Sequence, residues 1–385
     1  MTAPKILFYV QHLLGIGHLA RASRIARALI ADGFAVTLVT GGLPVAGFPG
    51  PDIPHIDLPA IAVSDGAFAG LIDAQGTPVD QAFKARRTAL LLAAYHALRP
   101  DIVITEAFPF GRRQVRFELL PLLAAINATT PRPRLVASLR DILQARAKPG
   151  RDAETVALVN AYYDQILVHG DQHFAAFADS FALAAEISKP VTHTGLVCGP
   201  RAIASPTAYA VIVSAGGGAV GAGLLQASLE AAALLPEVQS WCVITGPNLP
   251  QPEFDRLAAS APPNVHLTRF RTDFANLLAA AGLSVSQAGY NTVGDVLQAG
   301  CRMLLVPFAA AGETEQTDRA RRLQQLGRAT VLPEADLSGP AMAQAIRHCR
   351  AMAPPAGTRA LDTNGAGHTA TLLRQLLAQE PAPPL

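Results

Sequence analysis

The stretch KILFYVQHLLGIGHLARASRIARALIADG (5–33) passes from a short apolar run through a glycine loop into a segment rich in Ala, Leu and Arg. A short apolar run bounded by glycine predicts a buried β-strand, and the segment after it predicts a helix. A second stretch, AVIVSAGGGAVGAGLLQASLEAAALL (210–235), repeats the order of strand, glycine loop and helix. Two openings of this kind predict two Rossmann-like halves, each built on a parallel sheet.

Short β-rich runs alternate with helical stretches through both halves, which is typical of parallel α/β layers. In the first half the predicted strands are AVTLVTGG (35–42), DIVITE (101–106), RLVASL (134–139) and QILVHG (165–170). In the second half they are WCVITGP (241–247), VHLTRF (265–270), GLSVSQ (282–287) and RMLLVPF (302–308). We therefore expect an α/β protein with domains over 1–200 and 205–360, and a last helix near 365–380 that packs back on the first domain.

Composition favours a folded protein with a large core. Half of the 385 residues are apolar, 16% are charged, and the formal net charge is +2. This balance indicates no nucleic-acid partner, and the four scattered cysteines suit reduced thiols in a cytoplasmic protein. The uncharged stretch 202–229 contains Pro206 and a glycine run, so we expect no membrane span there. The N-terminal apolar run is short and is broken by Gln11 and His12, so we expect no secretion signal.

Each glycine loop lies between a predicted strand and a predicted helix. Glycine lets the backbone approach a bound group, and the start of a helix favours an anion. The glycines concerned are Gly15, Gly17, Gly216, Gly217 and Gly218. A dinucleotide site would need an acidic residue at the end of the next strand. Those strands end in TGG (40–42) and TGP (245–247), which argues against a dehydrogenase and leaves a tight turn without a ligand as the alternative.

The most informative stretch is SVSQAGYNTVGDVLQAG (284–300), in which a strand turns sharply into a helix. The N–H groups of the helix start suit a diphosphate, and Asp295, one turn later, suits the hydroxyls of a ribose. The candidate donor-binding residues here are Gln287, Gly289, Asn291, Thr292 and Asp295. Glu315 and Gln316, after the next strand, are expected to project toward the same cleft. The alternative is that Asp295 only complements the helix N-terminus and that Gln316 is a solvated surface residue.

This constellation resembles the GT-B glycosyltransferases, in particular the MurG-like group of glycosyltransferase family 28. The matches are the second glycine loop, the turn SQAG (286–289), Asp295 in place of the usual Glu, PF (307–308) and EQ (315–316). The resemblance implies two Rossmann-like domains facing a cleft, with a nucleotide-sugar, expected to be a UDP-sugar, on the second domain. It also implies that Phe270 and Arg271, in RFRTDFANLL (269–278), belong to the loop that contacts the uracil. Phrases such as TEAFPFGRR (105–113) resemble an uncharacterised branch of predicted glycosyltransferases, whose acceptor the resemblance does not supply.

The first half carries the candidates for catalysis. His18 closes the first glycine loop, and an imidazole suits the removal of a proton from an acceptor hydroxyl. Glu106 and Asp141 end predicted strands and are alternative bases, while His169 is a weaker candidate on the acceptor side. For each, a purely structural role such as helix capping or packing is the competing interpretation.

Basic residues of the first half include Arg112 and Arg113, which follow an aromatic run. They suit a lipid-phosphate acceptor and peripheral contact with a bacterial membrane, as the resemblance implies, or they are solvated arginines around a core helix. The sequence contains no Asp-x-Asp metal motif, so the expected transfer uses no metal and no cofactor.

Two rival functions stay open. GIGHLAR (15–21) resembles the start of the UDP-sugar hydrolase of pseudaminic acid synthesis, which has the same fold. The other rival is a non-catalytic subunit that binds a nucleotide-sugar.

Overall fold

The computed structural model describes residues 3–13, 15–63, 70–144, 150–216, 221–309, 312–352 and 361–379. The chain divides into two compact units. The first consists of Met1–Val197 together with Asp362–Leu385, and the second of Cys198–Leu361. The last helix of the chain therefore belongs to the first unit.

The first unit alternates strands and helices. Its strands are β1 (Lys5–Val10), β2 (Ala35–Thr40), β3 (His55–Asp57), β4 (Ile61–Val63), β5 (Leu71–Asp73), β6 (Ile102–Glu106), β7 (Arg134–Arg140), β8 (Gln165–His169) and β9 (Val191–His193). Its helices are α1 (Gly17–Ala31), α2 (Gln81–Leu98), α3 (Arg116–Ala128), α4 (Arg151–Tyr162) and, at the end of the chain, α11 (Gly365–Ala378). The strand β1 and the helix that follows it form where the sequence predicts them.

The main sheet of the first unit has the order β3-β2-β1-β6-β7-β8-β9. All its pairings are parallel, while β4 and β5 form a separate antiparallel ribbon. The strand order reverses between β1 and β6, which are neighbours in the sheet but not in the sequence. In open parallel sheets ligands bind outside the carboxyl ends of the strands at such a reversal. The loops after β1 and β6 therefore mark the place to look for a site.

The core of the first unit explains why its strands are continuous apolar runs. Helices cover both faces of a parallel sheet, so successive residues of a strand are buried on alternate faces. In β1 every residue from Ile6 to Val10 is buried. The helix α11 packs on α1, and the Leu196 N–H donates to the Asp362 carbonyl oxygen (2.7 Å) at the point where the chain returns to this unit.

The second unit repeats the plan. Its strands are β10 (Val211–Ser214), β11 (Trp241–Ile244), β12 (Val265–Thr268), β13 (Leu283–Ser286), β14 (Arg302–Leu305) and β15 (Thr330–Val331). Its helices are α5 (Ala222–Leu234), α6 (Gln251–Ser260), α7 (Phe274–Ala280), α8 (Tyr290–Ala299), α9 (Glu315–Gln325) and α10 (Gly339–Ala351). Among the residues that the structure describes, none of the helices combines the length and apolar character that crossing a bilayer requires.

The sheet of the second unit has the order β12-β11-β10-β13-β14-β15, again with parallel pairings throughout. Its strand order reverses between β10 and β13. The carboxyl ends of these two strands are the second glycine loop and the turn of residues 286–289, so the topology places the two most informative motifs of this half side by side.

Candidate functional site

The strand-order reversal of the first unit brings His18 and Glu106 together. His18 is the second residue of α1, and Glu106 is the last residue of β6. The Nδ1 atom of His18 lies 2.9 Å from Oε1 of Glu106. Arg21, on the same face of α1 one turn later, donates to that oxygen as well. The Glu106 side chain is fully buried and that of His18 is 16% exposed, so the imidazole is the accessible member of the group.

The second oxygen of Glu106 is also occupied. The Ser138 hydroxyl on β7 donates to Oε2 at 2.6 Å. On its other side Ser138 contacts Nε2 of His169, the last residue of β8, at 2.9 Å. Burial and the bonding of both oxygens argue against Glu106 as a base that contacts the acceptor itself. His169 has no exposed surface, which argues against the expected contact with an acceptor.

The surroundings set the charges of this group. Burial alone would raise the pKa of Glu106, but the charge of Arg21 and the hydrogen bonds from His18 and Ser138 outweigh it and lower that pKa to about 2. Burial and the positive charge of Arg112 lower the pKa of His18 to about 3, against the opposing effect of Glu106. Near neutral pH the group therefore contains an ionised glutamate and a neutral histidine.

This charge state fixes the role of each ring nitrogen in His18. An ionised carboxylate can only accept, so the hydrogen bond to Glu106 requires a proton on Nδ1 of His18. In a neutral imidazole the other nitrogen, Nε2, then carries the lone pair. A histidine held in this tautomer by a buried carboxylate is the general base of the Ser-His-Asp triads. The arrangement can remove a proton from a hydroxyl or a water molecule at Nε2.

Arg112 places a positive charge beside this pair. The backbone of Ala107 and Arg112 is left-handed (φ 66° and 56°), a conformation that side-chain-bearing residues seldom adopt and that concentrates at functional sites. The Nε atom of Arg112 is buried and has no hydrogen-bond partner among the described residues. Burial, followed by repulsion from Arg140, lowers the pKa of Arg112 to about 10. A half-buried guanidinium whose Nε is unbonded within the described part of the chain suits an anionic ligand.

Other candidates of the first unit have structural partners. Asp141 is 1% exposed, and its Oδ1 accepts from the Ile142 N–H at 2.8 Å, so the structure removes it as an accessible base. Arg113 pairs with Glu154, which also binds Arg116 at 2.6 Å. Gly15 and Gly17 lie at the start of α1 as expected, beside His18.

The buried titratable groups predict acid sensitivity. Burial and the charge of Arg21 lower the pKa of His169 from an ordinary 6.5 to about 3. The pKa of His18 is lowered to about the same value. The pKa of Glu106 is lowered from 4.5 to about 2. At a pH between the folded and the unfolded pKa of such a group, the unfolded chain binds a proton that the folded chain does not. The free energy of unfolding therefore decreases as the pH is lowered, starting near pH 6.5 for the histidines and near pH 4.5 for Glu106. We expect the free energy of unfolding to drop by roughly 2 to 4 kcal/mol between pH 7 and pH 5.

Urea denaturation at the two pH values measures this drop. His169→Gln is expected to make the decline shallower, whereas His55→Gln, at a side chain 38% exposed, is the matched control and is expected to leave it unchanged. An unfolding free energy that stays constant between pH 7 and pH 5 would contradict the charge states given above.

A second buried cluster of the first unit supports the loops after β1 and β2. Arg87 on α2 forms two hydrogen bonds to Glu118 on α3 (2.8 and 2.7 Å) and one to Gln11 (3.0 Å). It also donates to the Gly41 carbonyl oxygen (3.2 Å), and a Cβ at Gly41 would lie 2.5 Å from the guanidinium. Gly41 occupies the position where a dinucleotide site would carry its acid, and the space around it is filled by arginine.

In the second unit, the ends of β10 and β13 and the starts of α5 and α8 meet at the other strand-order reversal. Gly216 has φ 73°, and a Cβ at Gly221 would lie 2.7 Å from the Cβ of Ala215, so this loop needs glycine at both places. Gly217 and Gly218, which we assigned to the same loop, lie outside the described residues. The helix α8 begins at Tyr290, directly after Gly289. Two helix N-termini thus lie next to adjacent strand ends, a geometry that suits an anion.

Side chains of the helix α9 form hydrogen bonds to the backbone of the turn between β13 and α8. The Gln316 Oε1 atom accepts from the N–H groups of Ala288 (3.0 Å) and Phe308 (3.2 Å). Arg319, which the sequence analysis did not single out, donates to the Ala288 carbonyl oxygen (2.8 Å). Glu315 was expected to project toward the cleft, but it is 3% exposed and pairs with Arg319 at 2.6 Å. The spacing of four residues between Glu315 and Arg319 was the signal for this pair.

The remaining donor-site candidates are partly or largely accessible. Asn291, Thr292 and Asp295 lie on the first turns of α8 and are half-buried, as is Gln287 just before the helix. Phe270 is 53% exposed in the loop after β12. The Arg271 guanidinium is bidentate on Asp273 (2.8 and 2.7 Å).

Comparison with known families finds a similarity in the second half of the chain. Residues 211–371 match the model of the glycosyltransferase family 28 C-terminal domain. A UDP-N-acetylglucosamine–N-acetylmuramyl-(pentapeptide) pyrophosphoryl-undecaprenol N-acetylglucosamine transferase from Verminephrobacter eiseniae is 36% identical over 132 residues, which are 34% of this chain and 37% of that protein. The transferase of the same name from Bordetella pertussis is 32% identical over 166 residues, 41% and 46% of the two chains. The match thus spans less than half the length of these curated relatives.

Solved structures resemble the whole chain. A glycotransferase of kitacinnamycin superimposes with a TM-score of 0.65 at 18% identity, covering 97% of this chain and 99% of that one. The MurG protein of Acinetobacter baumannii superimposes with a TM-score of 0.56 at 16% identity, again covering 97% and 99%. At these identities the likeness establishes the fold, which is GT-B. The fold expected from the sequence is confirmed.

Proposed function

We propose that this chain, whose residues 211–371 match the model of the family 28 C-terminal domain, is a glycosyltransferase that moves a sugar from a nucleoside diphosphate to an acceptor hydroxyl. The observation that carries the proposal is the match of this domain together with the paired helix N-termini at the ends of β10 and β13. The curated relatives take UDP-N-acetylglucosamine as donor by name, so we propose a UDP-sugar here. The transfer is proposed to need neither metal nor cofactor.

The second unit is proposed to hold the donor. The amides at the starts of α5 and α8 would bind the diphosphate, since helix N-termini favour anions. Asp295 would accept hydrogen bonds from the ribose, and the exposed Phe270 belongs to the loop proposed for the base. The contacts of Gln316 and Arg319 support this proposal because they fix the backbone of the turn at Ala288, next to the diphosphate position.

Asp295→Ala is expected to weaken UDP binding by about 1–3 kcal/mol, the size of a lost hydrogen bond to a charged group. Isothermal titration calorimetry with UDP measures the change. Asp318→Ala, which removes a carboxylate of the same unit that pairs with Arg321 on the surface, is the matched control. Equal UDP affinity of wild type and Asp295→Ala would remove the ribose assignment.

The first unit is proposed to hold the acceptor and the base. Nε2 of His18 would take the proton of the acceptor hydroxyl while its oxygen bonds to C1 of the sugar and the bond from C1 to the diphosphate breaks. The diphosphate leaves with the bonding electrons, and the imidazolium that forms would be stabilised by Glu106. A base of this kind contributes about 10²- to 10⁴-fold in rate.

An acceptor with an anionic group fits the charges of the first unit. Arg112 lies beside the His18–Glu106 pair with a buried Nε that lacks a hydrogen bond among the described residues. The relatives named above act on a pyrophosphoryl-undecaprenol acceptor, and a lipid-linked phosphate reached from a membrane surface is the acceptor we propose. When the protein is incubated with sugar-labelled UDP-N-acetylglucosamine, bacterial membranes and EDTA, we expect the label to appear in the lipid fraction.

A UDP-sugar hydrolase is the second candidate, favoured by the GIGHLAR motif, whose His18 and Arg21 both bind Glu106. In a hydrolase the same Nε2 would activate water. Incubation with UDP-sugars without acceptor separates the two, because rapid stoichiometric release of free sugar indicates a hydrolase. UDP binding without turnover under any of these conditions would indicate a non-catalytic subunit.

A further inference from the structure

We propose that Ser138 and His169 are positioning residues, which through a chain of buried hydrogen bonds hold Glu106 ionised and thereby keep the proton of His18 on Nδ1. The functional consequence of this inference rests on the proposed role of His18 as the base. The proton order itself is a property of the folded protein and can be tested without substrate.

The chain of contacts runs across the carboxyl ends of three neighbouring strands. Glu106 on β6 binds Ser138 on β7 (2.6 Å), and Ser138 contacts Nε2 of His169 on β8 (2.9 Å). The Nδ1 atom of His169 lies 2.9 Å from Oγ1 of Thr194, just after β9. The parallel register sets these neighbours, since Glu106 pairs with Ser138, and Arg140 with His169. The contacts extend without interruption from His18 to Thr194.

The number of protons on these side chains determines which partner donates in each hydrogen bond. Ser138 has one hydroxyl proton, and the ionised Glu106 can only accept, so that proton lies toward Oε2. The contact between Ser138 and His169 then requires His169 to donate from Nε2. A neutral His169 protonated on Nε2 must accept at Nδ1, so the Thr194 hydroxyl donates to it. The hydrogen bonds then run from Thr194 through His169 and Ser138 to Glu106, which accepts the Nδ1–H of His18 at its other oxygen.

One competing order exists. The Thr194 hydroxyl also lies 3.0 Å from the Gly195 carbonyl oxygen. If it donates there, His169 carries its proton on Nδ1 and Ser138 donates to His169, which leaves Oε2 of Glu106 without a donor. The ion pair of Glu106 with Arg21 favours the first order, because an ionised Glu106 needs the Ser138 proton.

Because these side chains are buried, the direction of their hydrogen bonds affects the charge state of Glu106. Glu106, Ser138, His169 and Thr194 are each no more than 1% exposed, so water does not supply a replacement donor. The charged groups around Glu106 are Arg21 on α1 and Arg112 in the loop after β6, with Arg140 of β7 acting on Arg112, and the neutral His18 is the titratable group beside them. His169 faces Arg21 and Glu106. Loss of the Ser138 hydrogen bond would therefore make Glu106 easier to protonate.

The direct test is nitrogen-15 NMR of the unliganded protein labelled at histidine, with His18→Gln and His169→Gln used to assign the two rings. We expect His18 as the neutral Nδ1–H tautomer and His169 as the neutral Nε2–H tautomer. A proton on Nδ1 of His169, or on Nε2 of His18, would overturn the proposal.

The functional test compares Ser138→Ala with Ser23→Ala. Ser23 is an equally buried serine of α1 whose hydroxyl donates to the Leu19 carbonyl oxygen (2.8 Å), away from Glu106. Ser138→Ala is expected to lower kcat by about 10- to 100-fold, as for a lost hydrogen bond to a charged group, with KM for the donor unchanged. The acid limb of its pH–rate profile should move to higher pH, because protonation of Glu106 becomes easier. Ser23→Ala should do neither.

The two tests separate this inference from the proposed function. An Nδ1–H tautomer at His18 and an Nε2–H tautomer at His169 in a protein without transferase or hydrolase activity would leave the proton order intact and refute only the function. Activity that responds to His18→Gln but shows no shift of the acid limb in Ser138→Ala would refute the positioning role and leave the function intact.

Discussion

His18→Gln is expected to lower the turnover of sugar transfer by about 10²- to 10⁴-fold, the range for a positioned general base. Glutamine retains a polar side chain of similar length but has no nitrogen with a basic lone pair. Because the donor is proposed to bind the second unit, the affinity for UDP should not change. Steady-state kinetics of transfer, together with calorimetry of UDP binding, measures both quantities.

Glu106→Gln is the companion change. The amide preserves the shape of Glu106, but it cannot hold the proton of His18 on Nδ1 as the carboxylate does, so a comparable loss is expected. His55→Gln, at a surface histidine, is the control and should retain full activity. Full turnover in His18→Gln would contradict the assignment of the base.

Arg87→Met is expected to destabilise the first unit by about 3 to 5 kcal/mol, because it leaves the buried carboxylate of Glu118 without its cation. Arg87 and Glu118 are both fully buried, and the Tyr9 hydroxyl, at 2.5 Å, would remain as a neutral donor to Glu118. Methionine fills a similar volume, so the loss of charge pairing accounts for most of the change. Equilibrium unfolding in urea measures the difference.

Two variants serve as controls for that experiment. Arg27→Met removes an exposed arginine that pairs with Asp52 at 2.8 Å, and such surface pairs contribute at most about 1 kcal/mol. The double variant Arg87→Met, Glu118→Leu is expected to recover part of the loss, since no unpaired charge then remains buried. Equal stability of Arg87→Met and wild type would mean that the pair does not hold the loops after β1 and β2.

The sequence predicted the long strands well because their apolar runs are continuous. The predicted strand at 5–10 is β1, and the run at 134–139 is β7 with one further residue. The short strands β3, β9 and β15 were missed. They have two or three residues, lie toward the edges of the sheets and are mostly half-exposed, so neither run length nor hydrophobicity distinguishes them from loops.

The site of the first unit was predicted residue by residue but not as an assembly. His18 and Glu106 were treated as competing bases, whereas in the structure they form one pair 88 positions apart in the chain. Their contact depends on β1 and β6 being neighbours, which is decided by strand order and not by any local pattern. The role of His169 was missed for the same reason, since its contact with Ser138 follows from the pairing of β7 with β8.

In the second unit, the turn after β13 was predicted because its glycine and helix start are adjacent in the sequence. The orientation of Glu315 differs from the expectation, because a charged residue after a strand end is expected to reach the cleft. Its burial depends on Arg319, whose contacts with Glu315 and Ala288 satisfy both groups inside the unit. A buried charge requires such a partner, and only the packing of α9 shows it.

We propose that the second unit binds the nucleoside diphosphate at the ends of β10 and β13. A crystal structure of the protein with bound UDP shows where the nucleotide lies. We predict the diphosphate at the N-termini of α5 and α8 and the ribose hydroxyls within hydrogen-bond distance of Asp295. Nucleotide density on the first unit, or at the opposite edge of the second sheet, would contradict the claim.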